Sequence, residues 1–413
     1  MTALRAAAGL AAATLLAGSV SAQTISGAPG AALEAGYDGG FFIQSAGGGY
    51  RLVIGALAQV DGRFSPDDPA PAVDTFTLRK LRPSLSGRVA RFFDFKLMPD
   101  LAGGGSVVQD AYLDLRISPT LRVRTGKDKT PVGYEMLIGD AYVLFPERSL
   151  ANSLVPNRDL GVALQGDLGT GFHYAAGLYN GVPDGGSSTD DRDTNDGKEL
   201  AGRVVIRPFR LAGSAARALG GLGFQLGASR GAQEGALPGL KTSLGQTYFA
   251  YAPGIAARGQ HSRFTPAAFY YRGPFGAFFE WVRSAQRLSA PGGRRAAAAN
   301  TAWDVTGSYV LTGETGADRG VQPDAPFDPE TGAPGALQAM ARYAGLRVDE
   351  AVFAAGLAAP DASRTASQFS VGLNWYPNAQ VKYTAAFERV GFGGGAAPRP
   401  VEHSLILRAQ LAF

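Results

Sequence analysis

The chain contains no cysteine, which excludes disulfides and thiol chemistry. Charge is also scarce. Asp, Glu, Lys and Arg make up 18% of the 413 residues, below the roughly 25% of a typical soluble protein. The net charge is only +4, with no long polybasic run, which argues against a large nucleic-acid interface. After Gln23 no apolar run reaches the ~20 residues that a membrane-spanning helix needs. His173, His261 and His403 are scattered without ligand spacing, so no metal is indicated. Asp191, Asp193 and Asn195 have alternate spacing, but the glycine is displaced and the distal glutamate of a calcium loop is missing. No serine sits in a recognisable hydrolase setting, and no cofactor is implied.

Glycine, by contrast, is abundant at 57 residues, which suits tight turns and close backbone packing. The N-terminus begins with one cation in Met1–Arg5 and continues through the apolar run Ala6–Ala17. Small residues follow at Val20-Ser21-Ala22. This pattern predicts a signal peptide over residues 1–22 and an exported chain.

Period-2 alternation recurs along the rest. Phe93, Phe95 and Leu97 alternate with Asp94 and Lys96. Leu113, Leu115 and Ile117 alternate with Asp114 and Arg116, and Tyr383, Ala385 and Phe387 with Lys382, Thr384 and Glu388. Segments of about ten residues, the length of a transmembrane β-strand, number roughly sixteen. They centre on Leu57, Leu85, Phe95, Leu113, Val123, Leu164, Ala176 and Val205, then on Gln225, Phe269, Trp281, Thr306, Ala344, Leu373, Ala385 and Leu407. Long polar connectors alternate with tight ones such as 118–120, 169–171 and 377–379, although Arg210–Gly220 and Gly313–Gln338 break the rule. A terminal Phe413 closing an apolar-alternating strand fits the same pattern. Together these features predict an all-β fold, a transmembrane antiparallel barrel of about 16 strands in the bacterial outer membrane. Residues 23–48 read as an N-terminal periplasmic entry segment and residues 49–413 as the barrel.

The stretch TFTLRKLRPSLSGRVARFFDFK, Thr75–Lys96, is apolar on one face and basic on the other. With Leu81, Leu85 and Val89 toward lipid, Lys80, Arg82 and Arg88 face the lumen. Arg122, Arg124, Lys96, Arg116, Lys382 and Arg408 join them by the same alternation. Rings of Arg and Lys are the usual device of anion pores. The alternative is a general pore, in which the lumen acids Asp94, Asp110, Asp114 and Glu388 pair with these bases. Other arginines near strand ends would meet lipopolysaccharide phosphates.

Connector 128–160 is too apolar for a solvated loop. Met136, Leu137, Ile138, Tyr142, Val143, Leu144 and Phe145 need burial. It is the third connection on the long-loop side, and it is expected to fold into the lumen and narrow it. Arg148 and Arg158 would enter that constriction with Glu147 and Asp159 as local partners, or would only pin the loop to the wall.

GYDGGFFIQS, TLRKLRPSLSG, FDFKLMPDLA, QDAYLDL, TGKDKTPVGYE, FPERSLANSLVPNRDLGVAL and VGLNWYPNAQVK together resemble the phosphate-selective porins O and P. The resemblance spans nearly the whole mature chain. It implies a 16-stranded barrel, a homotrimer, and passive uptake of phosphate or other small anions. It puts Arg79 and Lys80 at a central anion site, Lys127 at a position often held by Arg, and Asp110 at an acidic position. Two departures stand out. Lys80 replaces the second Arg of a pair, and Leu57, in GALAQ, stands where the family's first strand carries Arg. The permeation candidates are therefore Arg79, Lys80, Arg82, Arg122, Arg124 and Lys127, with Arg148 and Arg158 from the loop. A barrel enzyme would need a coupled nucleophile and base, and the sequence offers no such pair.

Overall fold

The computed structural model describes residues 23–26, 32–66, 73–188, 195–211 and 218–413. The signal segment 1–22, and Asp191 and Asp193, lie outside the described residues.

Sixteen strands run in chain order around one closed sheet. The first eight are β1 Arg51–Phe64, β2 Thr75–Val89, β3 Phe93–Asp100, β4 Val107–Ser118, β5 Leu121–Lys129, β6 Arg158–Leu168, β7 Phe172–Tyr179 and β8 Glu199–Ile206. The second eight are β9 Leu222–Ala236, β10 Ala256–Arg272, β11 Phe275–Ser289, β12 Arg295–Val310, β13 Ala336–Arg347, β14 Thr365–Tyr376, β15 Val381–Gly393 and β16 Glu402–Ala412. Each pairs antiparallel with the next, and β16 returns to β1 from Leu405↔Phe64 to Ala412↔Leu57. Every expected strand centre falls inside its strand. Closure leaves no open edge, which hydrocarbon requires because it cannot hydrogen-bond a free N–H or C=O. The alternation is the cause of the sidedness. On β15, Tyr383 and Phe387 are exposed while their neighbours Lys382, Thr384 and Glu388 are buried. Among the described residues no helix is long and apolar enough to cross a membrane.

The tight connections lie at one end, the periplasmic end in outer-membrane barrels. The β2–β3 turn has Ala90 and Arg91 at φ +51° and +66°, the doubly left-handed geometry that follows strand twist. The long exception, 311–335, is tied down at the same end. Trp375 Nε1 donates to the Pro334 carbonyl at 2.8 Å and Phe327 N to that of Pro377 at 2.7 Å. Val321 packs with Val310, Ala336 and Tyr376.

Strands Ala32–Tyr37 and Phe41–Ser45 form a hairpin. Its second strand pairs with Arg51–Ile54 of β1. β16 covers β1 from Leu57 upward. Between the two, Ala56 exchanges backbone hydrogen bonds with Phe413 at 2.8 and 3.0 Å. The edge of β1 is thus occupied along its length.

The apolar connector runs over 130–157. Asp128, Lys129 and Arg158 to Leu160 remain in strands, with Lys129 paired to Arg158. Arg158 is therefore a wall residue of β6, a correction to its expected place in the loop. Met136, Val143 and Phe145 are buried as their apolar side chains demand, while Tyr142 is exposed. Met136, Leu150, Leu154 and Val155 pack in one cluster with Val282, Leu288 and Leu346.

Candidate functional site

Strict alternation would send Arg79 outward with Leu81. A β-bulge prevents it. Gln59 pairs with Lys80 but Val60 pairs with Leu78, so Arg79 is the extra residue. Arg79 and Lys80 then both leave the apolar face, while Leu78, Leu81 and Leu85 stay exposed on it.

Lys80 and Arg82 reach Asp140, which the connector 130–157 carries. Five cations surround this one carboxylate: Arg82 in direct contact, Arg148 at 2.7 Å, Lys80 and Lys129 at 3.4 Å, and Arg158 at 3.7 Å. Burial opposes ionisation of Asp140, yet Lys129, Lys80, Arg148 and Arg158 together hold its carboxyl well below the usual carboxylate range. Asp100 accepts from Arg82 Nε at 2.6 Å, and Asp110 takes Arg158 at 2.7 Å and Lys96 at 2.9 Å. Six cations thus share three carboxylates.

A second group surrounds Glu147. Arg79 donates to it at 2.7 and 3.0 Å, Arg63 contacts it, and Arg408 stands 3.8 Å away. Burial again opposes ionisation, and Arg79, Arg63 and Arg408 hold the carboxyl below its ordinary value. Glu147 is therefore not the partner of Arg148, whose carboxylate is Asp140. The partner of Arg158 is Asp110, and Asp159 accepts instead from the backbone N–H of Leu160 and Gly181.

Polar side chains from around the sheet hold the connector. Gln225 and Thr265 donate to the Val132 carbonyl at 3.0 and 2.9 Å. Glu280 accepts from the backbone of Tyr134 and Glu135 at 2.7 and 3.1 Å. Arg342 donates to the Glu147 carbonyl at 2.9 Å, Lys382 to those of Ala141 and Val143 at 3.1 and 3.0 Å, and Arg408 to that of Pro146 at 2.6 Å.

Two cavities meet at the Asp140 cluster. One of about 400 Å³, beside the 237–255 connection, is lined by Arg63, Arg79, Lys80 and Arg148. The other, of about 790 Å³, faces the short-turn end and is lined by Leu57, Arg82, Lys96, Lys129 and Arg158. Leu57 is buried there, so an isobutyl group fills a place where the resemblance calls for a guanidinium.

The remaining candidates lie elsewhere. Arg124 sits between Asp114 at 2.7 Å and Asp128, over the ring of Tyr112. Lys127 is buried and donates to the Ser188 carbonyl at 2.6 Å. Arg122 is 3.9 Å from Asp167. Asp94 also pairs with bases, Arg88 at 2.9 Å and Arg116 at 3.3 Å. Glu388 accepts instead from Gln368 and Ser370. Sequence reasoning missed Asp140 and Lys129. The available signal was a lone carboxylate inside the apolar run from Met136 to Phe145. Among the described residues no group of three His, Asp or Glu is placed to hold a metal.

A family model described as phosphate-selective porin O and P matches residues 55–413. The chain belongs to this family. It is accordingly an outer-membrane porin, a channel and not an enzyme. No curated protein matches the porin in sequence. Its fold is similar to that of the outer-membrane channel DcaP of Acinetobacter baumannii, with TM-score 0.58 and 11% identity over 90% of this chain and 99% of that one. It is likewise similar to outer-membrane expressed OmpT of Vibrio cholerae, with TM-score 0.56 and 13% identity over 88% and 98%. An anion-selective porin from Comamonas acidovorans gives TM-score 0.55 and 13% identity over 88% and 99%.

Proposed function

We propose that the porin passes small anions passively, and that the Asp140 cluster is the stage that selects them. The excess of six cations over three carboxylates between two cavities carries this reading. A low-dielectric wall focuses such a field and raises the local concentration of anions. Connector 130–157 lies in the lumen on this reading, which its hydrogen bonds to polar-face residues of β9, β10, β11, β13, β15 and β16 support. Arg79, Lys80 and Arg148 draw the anion in, and Arg82, Lys129, Arg158 and Lys96 pass it on. Arg124 and Lys127 shape the wall, and Arg122 belongs to the exit.

Phosphate is a candidate cargo, because Arg can grip it with two N–H groups. Leu57 donates no hydrogen bond, and Asp140 already occupies the donors around it, so phosphate is held weakly. Assembly as a homotrimer is supported by OmpT of Vibrio cholerae, whose structure is described in a trimer form. The exposed arginines near strand ends, Arg258 and Arg287, suit lipopolysaccharide phosphates.

The ion pairs of Asp94, Asp110 and Asp114 favour the second reading, a general porin with balanced lumen charge. The reversal potential of reconstituted channels in a potassium chloride gradient decides between them. An anion-selective value supports the proposal; a value near zero or of cationic sign refutes it.

A further inference from the structure

Below the connector, toward the short-turn end, another cavity of about 560 Å³ opens against the wall from β5 to β10. Arg122, Arg203, Arg207 and Arg319 line it, against Asp167 and Asp318. Four guanidinium groups therefore face two carboxylates. Neither Asp140 nor the cations in contact with it take part in this lining.

Asp167 is engaged by His173 Nδ1 at 3.0 Å and by Arg122. Arg203 has no such partner. Its Nη1 donates to Gln225 Oε1 at 3.4 Å, and its Nη2 lies 3.3 Å from His173 Nε2. Its Nε is buried with no hydrogen-bond acceptor. Arg207, four residues on along the same face, lies 5.1 Å from the centre of the Phe269 ring. Among the described residues neither arginine is ion-paired with a carboxylate. Both are only partly buried, and a partly desolvated cation without a counter-charge costs free energy that a bound anion recovers.

Apolar side chains of the connector also line the cavity. Phe269 is itself buried, stacked on Tyr134 at 5.0 Å, so the open apolar surface is that of Leu137, Ile138 and the exposed Tyr142 of the connector. The volume is within the ~300–1,000 Å³ usual for small-molecule sites. An inorganic ion would use only the basic half. We infer that this chamber is a second anion site, separate from the Asp140 stage, that takes a carboxylate borne on an apolar body. The carboxylate lies on Arg203 and Arg207, and the body rests against Leu137, Ile138 and Tyr142.

Calorimetric titration of the purified porin in detergent with benzoate, acetate and inorganic phosphate tests the assignment. Benzoate is expected to bind about tenfold more tightly than acetate, since only benzoate buries apolar area. The double variant Arg203→Gln/Arg207→Gln should weaken benzoate at least about tenfold through loss of charged hydrogen bonds. Lys80→Gln/Arg82→Gln should leave benzoate binding intact. Absence of benzoate binding, equal binding of acetate or phosphate, or loss only in the Lys80/Arg82 variant overturns the inference. Chloride conductance in a planar bilayer shows that each variant is folded. If the double variant forms no channels, the single variant Arg207→Gln is read by the same criterion. The permeation proposal rests on the reversal potential and on Lys80 and Arg82, so its failure would be seen separately from this one.

Discussion

Leu57 and Arg82 stand directly opposite each other across β1 and β2, and both line the cavity below Asp140. A greasy side chain thus faces the best-placed guanidinium of the wall. Leu57→Arg should supply a further charged donor. Block of chloride current by phosphate should become about tenfold more sensitive, as expected for one added charge-assisted hydrogen bond. Single-channel recording with phosphate titrated into chloride measures it; unchanged sensitivity would remove Leu57 from the path.

Asp140→Asn removes the one carboxylate that five cations share. Anion selectivity should rise, because the cluster keeps its cations and loses a counter-charge. Stability should fall by about 3–5 kcal/mol, the usual cost of breaking a buried ion pair from one side. The reversal potential and denaturant unfolding in detergent read the two effects separately.

Lys80→Glu and Arg124→Gln should differ in kind. The first places a second carboxylate beside Asp140 and should move the reversal potential toward cations. The second removes a cation already neutralised by Asp114 and Asp128, so selectivity should hardly change while stability drops. Equal shifts of potential would show that local pairing does not decide which cations an ion senses.

Docking of the connector should survive mild acid. Asp140 and Glu147 both have their carboxyls held down in the folded chain. A group with a depressed native value stabilises above its unfolded value, about 4, and loses that contribution as pH falls through the native one. Protease resistance of the connector in detergent should therefore persist from pH 7 to about 4 and fail only in stronger acid. Release near pH 5 would contradict the ion-pair account.

Gly227 meets the Val132 carbonyl so closely that an added Cβ would lie 2.0 Å from it. Gly227→Ala should lift the connector from β9 and β10, where Gln225 and Thr265 grip the same carbonyl. Larger and noisier single-channel conductance is the expected readout. A conductance identical to the parent would show that the connector does not set the pore's width.

The wall was legible in the sequence because alternation and strand length are local properties, and every strand centre from Leu57 to Leu407 could be read from them. The lumen was legible only in part. The bulge at Arg79 is invisible to alternation, since it depends on how β1 and β2 align. The Arg82–Asp140 and Arg342–Glu135 contacts join residues 58 and 207 positions apart. Such pairings follow from register and from how the connector lies, which no local pattern encodes. Local neighbours were therefore assigned to Arg148 and Arg158, and both assignments failed for that reason.

The hairpin at the base of β1 works as a ruler for barrel closure. Because Phe41–Gln44 already holds Arg51–Ile54, the last strand can travel down β1 only until Phe413 meets Ala56. A slip of two residues in that direction would keep every side chain on its proper face, so hydrophobicity alone would not resist it. The hairpin does, by physical obstruction. The stagger of the final seam, and with it the height at which Arg408 meets Asp61, is thereby measured out by a segment that lies outside the barrel itself.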